Sequence, residues 1–173
     1  MPYYLLLALL MLLLKLAFTA ASNNQLLFLI KPTATLVEWL TGAQATYNPS
    51  TGFFYAQLNI FIGKSCSGFN FLMMCFVLLV VSMLKYCKTH ATKCLLFPSM
   101  LVLAYLLSII ANTSRIMLSI IGQQIGNLVL PTRPHLFLHD TIGTITELLF
   151  LVAIYWIIQH INTKLFSENE KLA

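Results

Sequence analysis

The sequence predicts a mainly α-helical, polytopic membrane protein with about four transmembrane helices, interfacial helices and a short outer β-hairpin. Three observations predict it. Of 173 residues, 59% are hydrophobic and only 9% are charged, against roughly a quarter charged in an ordinary soluble domain. Four stretches are long enough to cross a hydrocarbon core, which takes about 20 residues of helix. Between the first two lies a segment rich in aromatic and β-branched residues and preceded by a Pro/Gly-containing turn, which is a strand signature. The chain, residues 1–173, reads as a single membrane-embedded domain.

The first span covers residues 3–21 and is interrupted only by Lys15. It stands where a signal peptide would but lacks a clear basic start, so an uncleaved span is expected. Residues 26–40 are also apolar, but the run is short and holds Lys31, Pro32 and Glu38; an interfacial helix suits it better than a crossing. Ala45-Thr-Tyr-Asn-Pro-Ser-Thr-Gly52 reads as a turn. The strand-like Phe53–Ile62 follows, and it delivers the chain to Cys66. The remaining spans cover residues 69–86, 95–111 and 141–161. The stretch from Arg115 to Val129 reads as a helix continuing from span three or lying in the interface, ended by Pro131 and Pro134.

Sidedness follows from the lysines. Lys85, Lys88 and Lys93 crowd the loop between spans two and three, and Lys164 and Lys171 lie in the C-terminal tail. Short lysine-bearing loops stay in the cytoplasm. Both termini are therefore expected inside, and segments 22–68 and 112–140 face out. The net charge of +5 is dispersed beside apolar runs, with no basic stripe interleaved with aromatics. Nucleic acid is accordingly not an expected partner; the lipid bilayer is.

Four cysteines are present. Cys75 falls inside a span, where cysteine acts as a small hydrophobe. Cys87 and Cys94 flank the inner lysine loop; with His90 they number three potential ligands among cations, which reads as a solvated topology loop. Cys66 alone stands outside the membrane core on the outer side, in Gly63-Lys-Ser-Cys-Ser-Gly68. A sulfur there gains from backbone N–H groups at a helix start and from Lys64. The same residue equally reads as a small side chain packed at a turn.

Two further clusters flank it. Ser108, Asn112, Arg115 and Ser119 recur at helical spacing on one face. An arginine there needs water, an anion or an acceptor network, or it snorkels to headgroups. His139, Gly143 and Glu147, each four residues apart, share another face. Gly143 lets a second backbone approach, and Glu147 is expected to orient His139, to pair with Arg115, or to stay protonated. His135 and His139 have metal-pair spacing without an evident third ligand, so no metal or other cofactor is expected. Gly122 and Gly126 read as a packing pair. A thiol, a permanent cation and a titratable base on one side of a membrane point to acyl transfer.

At Cys66-Ser-Gly68, Asn112-Thr-Ser-Arg115-Ile116 and His139-Asp-Thr-Ile-Gly143, the chain resembles the exosortase/archaeosortase family, most of all its short exosortase K form. The resemblance covers residues of about 50 to 150 and lies in the order and spacing of short motifs. It implies a membrane-embedded cysteine transpeptidase. Its substrate would be an exported protein with a C-terminal recognition motif, a transmembrane helix and a basic cluster. Cys66 would be the nucleophile, Arg115 the oxyanion or positioning residue and His139 the general acid/base, at the outer face of a bacterial plasma membrane. Asn112, Gly143, Glu147 and Lys64 are the expected supporting residues. The extra spans of larger exosortases are missing, which leaves open the sorting signal it reads. The competing expectation is a non-catalytic membrane subunit of an envelope assembly or export complex. Serine, aspartyl and zinc intramembrane proteases are disfavoured because Gly-x-Ser-x-Gly, paired span aspartates and His-Glu-x-x-His are absent from the sequence.

Overall fold

A computed structural model describes the backbone of residues 2–87, 89–129 and 135–171; side chains are described except at 124–129, 135–140, 162 and 164–171. The expectations placed on Pro131, Pro134, Lys88 and on the side chains of His135, Gly126, Lys164 and Lys171 lie outside the described residues. In chain order, α1 spans Pro2–Ala20 and α2 Leu27–Thr41. Strands β1 (Thr46–Asn48), β2 (Gly52–Tyr55) and β3 (Ile60–Ile62) follow, then a 3-10 turn at Lys64–Cys66. The long helices α3 (Phe69–Leu84), α4 (His90–Val129) and α5 (His135–Lys171) complete the chain. Four helical segments among the described residues are long and apolar enough to cross a membrane: Pro2–Ala20, Lys64–Leu84, His90–Gln123 and Thr141–Ile161.

Helix α3 is the most enclosed of these four, because its neighbours pack round it. Phe71, Cys75, Phe76 and Val80 are buried against Ala104 and Ala111 of α4 and Ile154 and Ile158 of α5. Small alanines on α4 let the larger rings of α3 approach closely. Gly122 plays the part expected of it: a Cβ there would lie 2.6 Å from Cδ1 of Ile142. Lys15, the one charge in the first span, donates to Asn70 Oδ1 of α3 at 2.9 Å. A polar partner on the neighbouring helix accounts for a lysine in that run.

Residues 26–40 do form a helix beside the bundle. Leu29, Ile30, Ala34 and Val37 of α2 are buried in a core shared with Ile116 and Ile120 of α4. Pro32 lies inside α2 and leaves the Phe28 carbonyl without its usual i+4 donor. Tyr105 of α4 replaces that donor, its hydroxyl reaching the Phe28 carbonyl at 2.6 Å. Tyr105→Phe is therefore expected to cost about 1 kcal/mol, read as a lower thermal midpoint of the detergent-solubilised protein.

The outer hairpin expectation needs correction. Phe53–Ile62 is not one strand but two, and the sheet is a three-stranded antiparallel meander with order β1-β2-β3. Phe53 pairs with Ile62 and Tyr55 with Ile60. The turn between them bonds Leu58 N–H to the Tyr55 carbonyl at 3.2 Å and puts Asn59 at φ 51°. Asparagine tolerates that left-handed conformation, so the turn carries neither Gly nor Pro and hides in an aromatic run. Tyr55 anchors the sheet on α2, its hydroxyl donating to the Ala34 carbonyl at 2.8 Å. Burial, and next the Glu38 carboxylate, push its phenol well above the ordinary range, so the hydroxyl stays protonated and able to donate.

Helix α4 follows the first of the two readings of its second half. It runs unbroken for 40 residues, about 60 Å at the ordinary helical rise. Span three and the stretch after Arg115 are thus one rod, and the polar stripe lies within it rather than at its end.

Candidate functional site

Helices that run up and down bring the C-terminal end of α1, the start of α3, the second half of α4 and the first half of α5 to one end of the bundle. The opposite end is marked by Tyr3 of α1, whose hydroxyl meets His90 Nδ1 of α4 at 2.6 Å. All the described candidate residues belong to the first end.

Cys66 closes the 3-10 turn that leads from β3 into α3, and its N–H bonds to the Gly63 carbonyl at 2.9 Å. The chain then reverses through Gly68 at φ 71°, a left-handed conformation that glycine adopts at little cost. Space demands glycine there too: a Cβ would lie 3.0 Å from Cβ of Asn112. Asn112 uses that closeness. Its Nδ2 donates to the Cys66 carbonyl at 2.6 Å, which pins the cysteine turn to α4. Among the described residues its Oδ1 is buried without a partner, a costly state unless a further donor arrives.

One turn further along α4, Arg115 Nη1 donates to Glu147 Oε1 of α5 at 2.7 Å, with the two side chains 17% and 15% exposed. Of the roles open to Glu147, the pairing with Arg115 is present among the described residues. Gly143 makes room for this pair. A Cβ at position 143 would overlap Arg115 Nε and lie 2.9 Å from Cζ, so the guanidinium rests against bare helix backbone. His139 stands one helical turn before Gly143 on the α5 backbone; its side chain lies outside the described residues.

A cleft of about 430 Å³ opens here, lined by Lys64, Ser65, Ser67, Asn70, Arg115 and Glu147 among others. The first-turn residues of α3 border it, and an uncapped helix start presents free N–H groups. Lys64 makes contacts that the sequence does not announce. Its ammonium donates to the Thr19 and Ala21 carbonyls at 2.9 and 2.8 Å, capping the C-terminal end of α1, and lies 5.1 Å from the Phe18 ring centroid. Cation and helix C-terminus are complementary.

The thiol of Cys66 is partly buried and unpaired in any disulfide. Cys66 lines a separate cavity of about 20 Å³ with Ile62, Ile116, Ser119, Ile120 and Gln123 among others. Among the described residues its one hydrogen-bond partner is Ser65 Oγ at 3.9 Å. The structure thus joins Cys66 to Asn112 and Arg115 to Glu147 and Gly143, while sulfur and guanidinium face neighbouring spaces. Ser65, Ser67 and Asn70 went unread in the sequence; Ser67, 3% exposed, carried no periodic signal because it lies in a turn. Among the described residues no group of three His, Cys, Asp or Glu stands close enough to hold a metal.

Fold and site together define a mainly helical chain with four membrane-length apolar helices, a small antiparallel sheet and an ion-paired polar cleft at one bundle end. Compared with protein-family models, curated proteins and solved structures, the chain matches none.

Proposed function

We propose that this protein is a membrane-embedded cysteine transpeptidase of the exosortase kind. It cleaves C-terminal sorting signals of exported proteins at the outer face of a bacterial plasma membrane. One observation supports this reading above the rest. Asn112 and Arg115, three residues apart on α4, tie the Cys66 turn on one side and Glu147 of α5, about two turns past His139, on the other. The three residues carrying the resemblance are thus linked through backbone and helix contacts at one end of the bundle.

In the proposed reaction the Cys66 thiolate attacks the scissile carbonyl. The carbonyl oxygen becomes an oxyanion, and the Arg115 guanidinium, held by Glu147, donates to it. Collapse breaks the C–N bond, and His139 gives the departing amine its proton. A thioester remains on Cys66. An acceptor amine then attacks that thioester, His139 takes the amine proton, and the thiolate leaves. The substrate's own transmembrane helix is held in the bilayer, and its recognition motif reaches the cleft.

The test is co-expression with an exported protein bearing such a signal, followed by mass spectrometry of the Cys66 peptide. A substrate-derived thioester that hydroxylamine releases is the expected result, with processing lost in Cys66→Ala and Cys66→Ser. Unchanged processing in Cys66→Ala rejects the enzyme. One observation favours the second reading, a non-catalytic subunit of an envelope assembly or export complex: the thiol lines the smaller cavity and not the 430 Å³ cleft. That reading requires the alanine variant to keep its function.

A further inference from the structure

Ser119 breaks the pattern of its helix. Ser99, Ser108, Thr113 and Ser114 all donate to carbonyls one turn back on α4, at 2.8 to 2.9 Å. Such back-bonding is the usual resting place of a hydroxyl inside a helix. Ser119 does not make it. Among the described residues its Oγ is buried without a partner, in a residue only 2% exposed, and Ser119 lines the cavity that Cys66 also lines. That cavity, about 20 Å³, admits a single water molecule, which needs roughly 10–15 Å³. Its apolar walls are Ile60, Phe61, Ile62, Ile116 and Ile120, and its polar residues are Cys66, Ser119 and Gln123. A water between them would satisfy the orphaned hydroxyl.

The charges nearby are otherwise employed. Lys64 caps α1 and Arg115 pairs with Glu147. Among the described residues the sulfur has only the long contact from Ser65. We infer that Ser119 is a positioning residue for the Cys66 sulfur, donating to it through one water held in this cavity and so stabilising the thiolate. The inference rests on the reading of Cys66 as a nucleophile for its purpose, though not for its geometry. Hydrogen bonds to a charged form favour that form.

The test needs no substrate. Full-length protein in detergent micelles is treated with iodoacetamide at neutral pH, and alkylation is followed peptide by peptide. Exposed Cys94 serves as the internal reference. Ser119→Ala is expected to slow Cys66 alkylation about tenfold relative to Cys94, the effect of losing one hydrogen bond to a charged group. Ser119→Thr keeps the hydroxyl and should react within about twofold of the wild type. An unchanged or faster rate in Ser119→Ala overturns the inference. So does an equal slowing in Ser119→Thr, which would mark a packing effect. Retained processing in Cys66→Ala rejects the transpeptidase while leaving the Ser119 contact standing, so the two failures are distinguishable.

Discussion

Arg115→Ala is expected to lower substrate processing by about 10²–10³-fold, the usual cost of removing one oxyanion donor. It should also destabilise the fold, because Glu147 is only 15% exposed and loses its partner at 2.7 Å. An unpaired, mostly enclosed carboxylate costs roughly 3 kcal/mol. The two effects separate in a double variant. Arg115→Ala with Glu147→Leu removes the stranded charge, so the thermal midpoint should return most of the way towards wild type while processing stays low. A double variant that regains processing would show that the guanidinium merely neutralised Glu147. A single variant that processes at the wild-type rate would remove Arg115 from the mechanism.

Gly143→Ala is the second large expectation, and its sign is diagnostic. In a helix interior alanine is ordinarily favoured over glycine by about 1 kcal/mol. Here the added methyl would overlap Arg115 Nε and lie 2.9 Å from Cζ, so the guanidinium must move or the helices must part. Overpacking of this kind costs roughly 1–3 kcal/mol. We expect a lower thermal midpoint and a loss of processing that approaches that of Arg115→Ala. The displacement acts through the arginine, so Gly143→Ala placed on an Arg115→Ala background should become neutral or stabilising. A stabilised Gly143→Ala single variant with full processing would mean that the close contact has no functional weight.

Much of this arrangement was legible because it repeats along the chain. Apolar length marked the four spans, since lipid admits a backbone only when its hydrogen bonds close within the segment. Helical spacing placed Ser108, Asn112, Arg115 and Ser119 on one face; Ser108, Asn112 and Ser119 are buried, and Arg115 is 17% exposed in its ion pair. The charge in the fourth span called for a partner, and Glu147 found Arg115. The aromatic run at 53–62 misled, because Asn59 turns the chain with no glycine or proline to announce it. Lys64 has contacts that spacing alone could not show. Nearness in sequence to Cys66 suggested a shared environment, yet a four-carbon stem reaches the carbonyls that end α1.

By itself, then, the sequence determined the mainly helical class, the number of membrane-length apolar helices and which polar residues share a helix face, because these depend on composition and on periods of one or two helical turns. Only the tertiary structure decided which of them meet. Asn112 reaches the Cys66 carbonyl across 46 residues of chain, and Arg115 reaches Glu147 across 32. Neither pairing has a local signature, since each follows from how α4 lies against α3 and α5. The same packing set Cys66 beside a cavity with room for one water, and left Ser119 the buried hydroxyl that faces it.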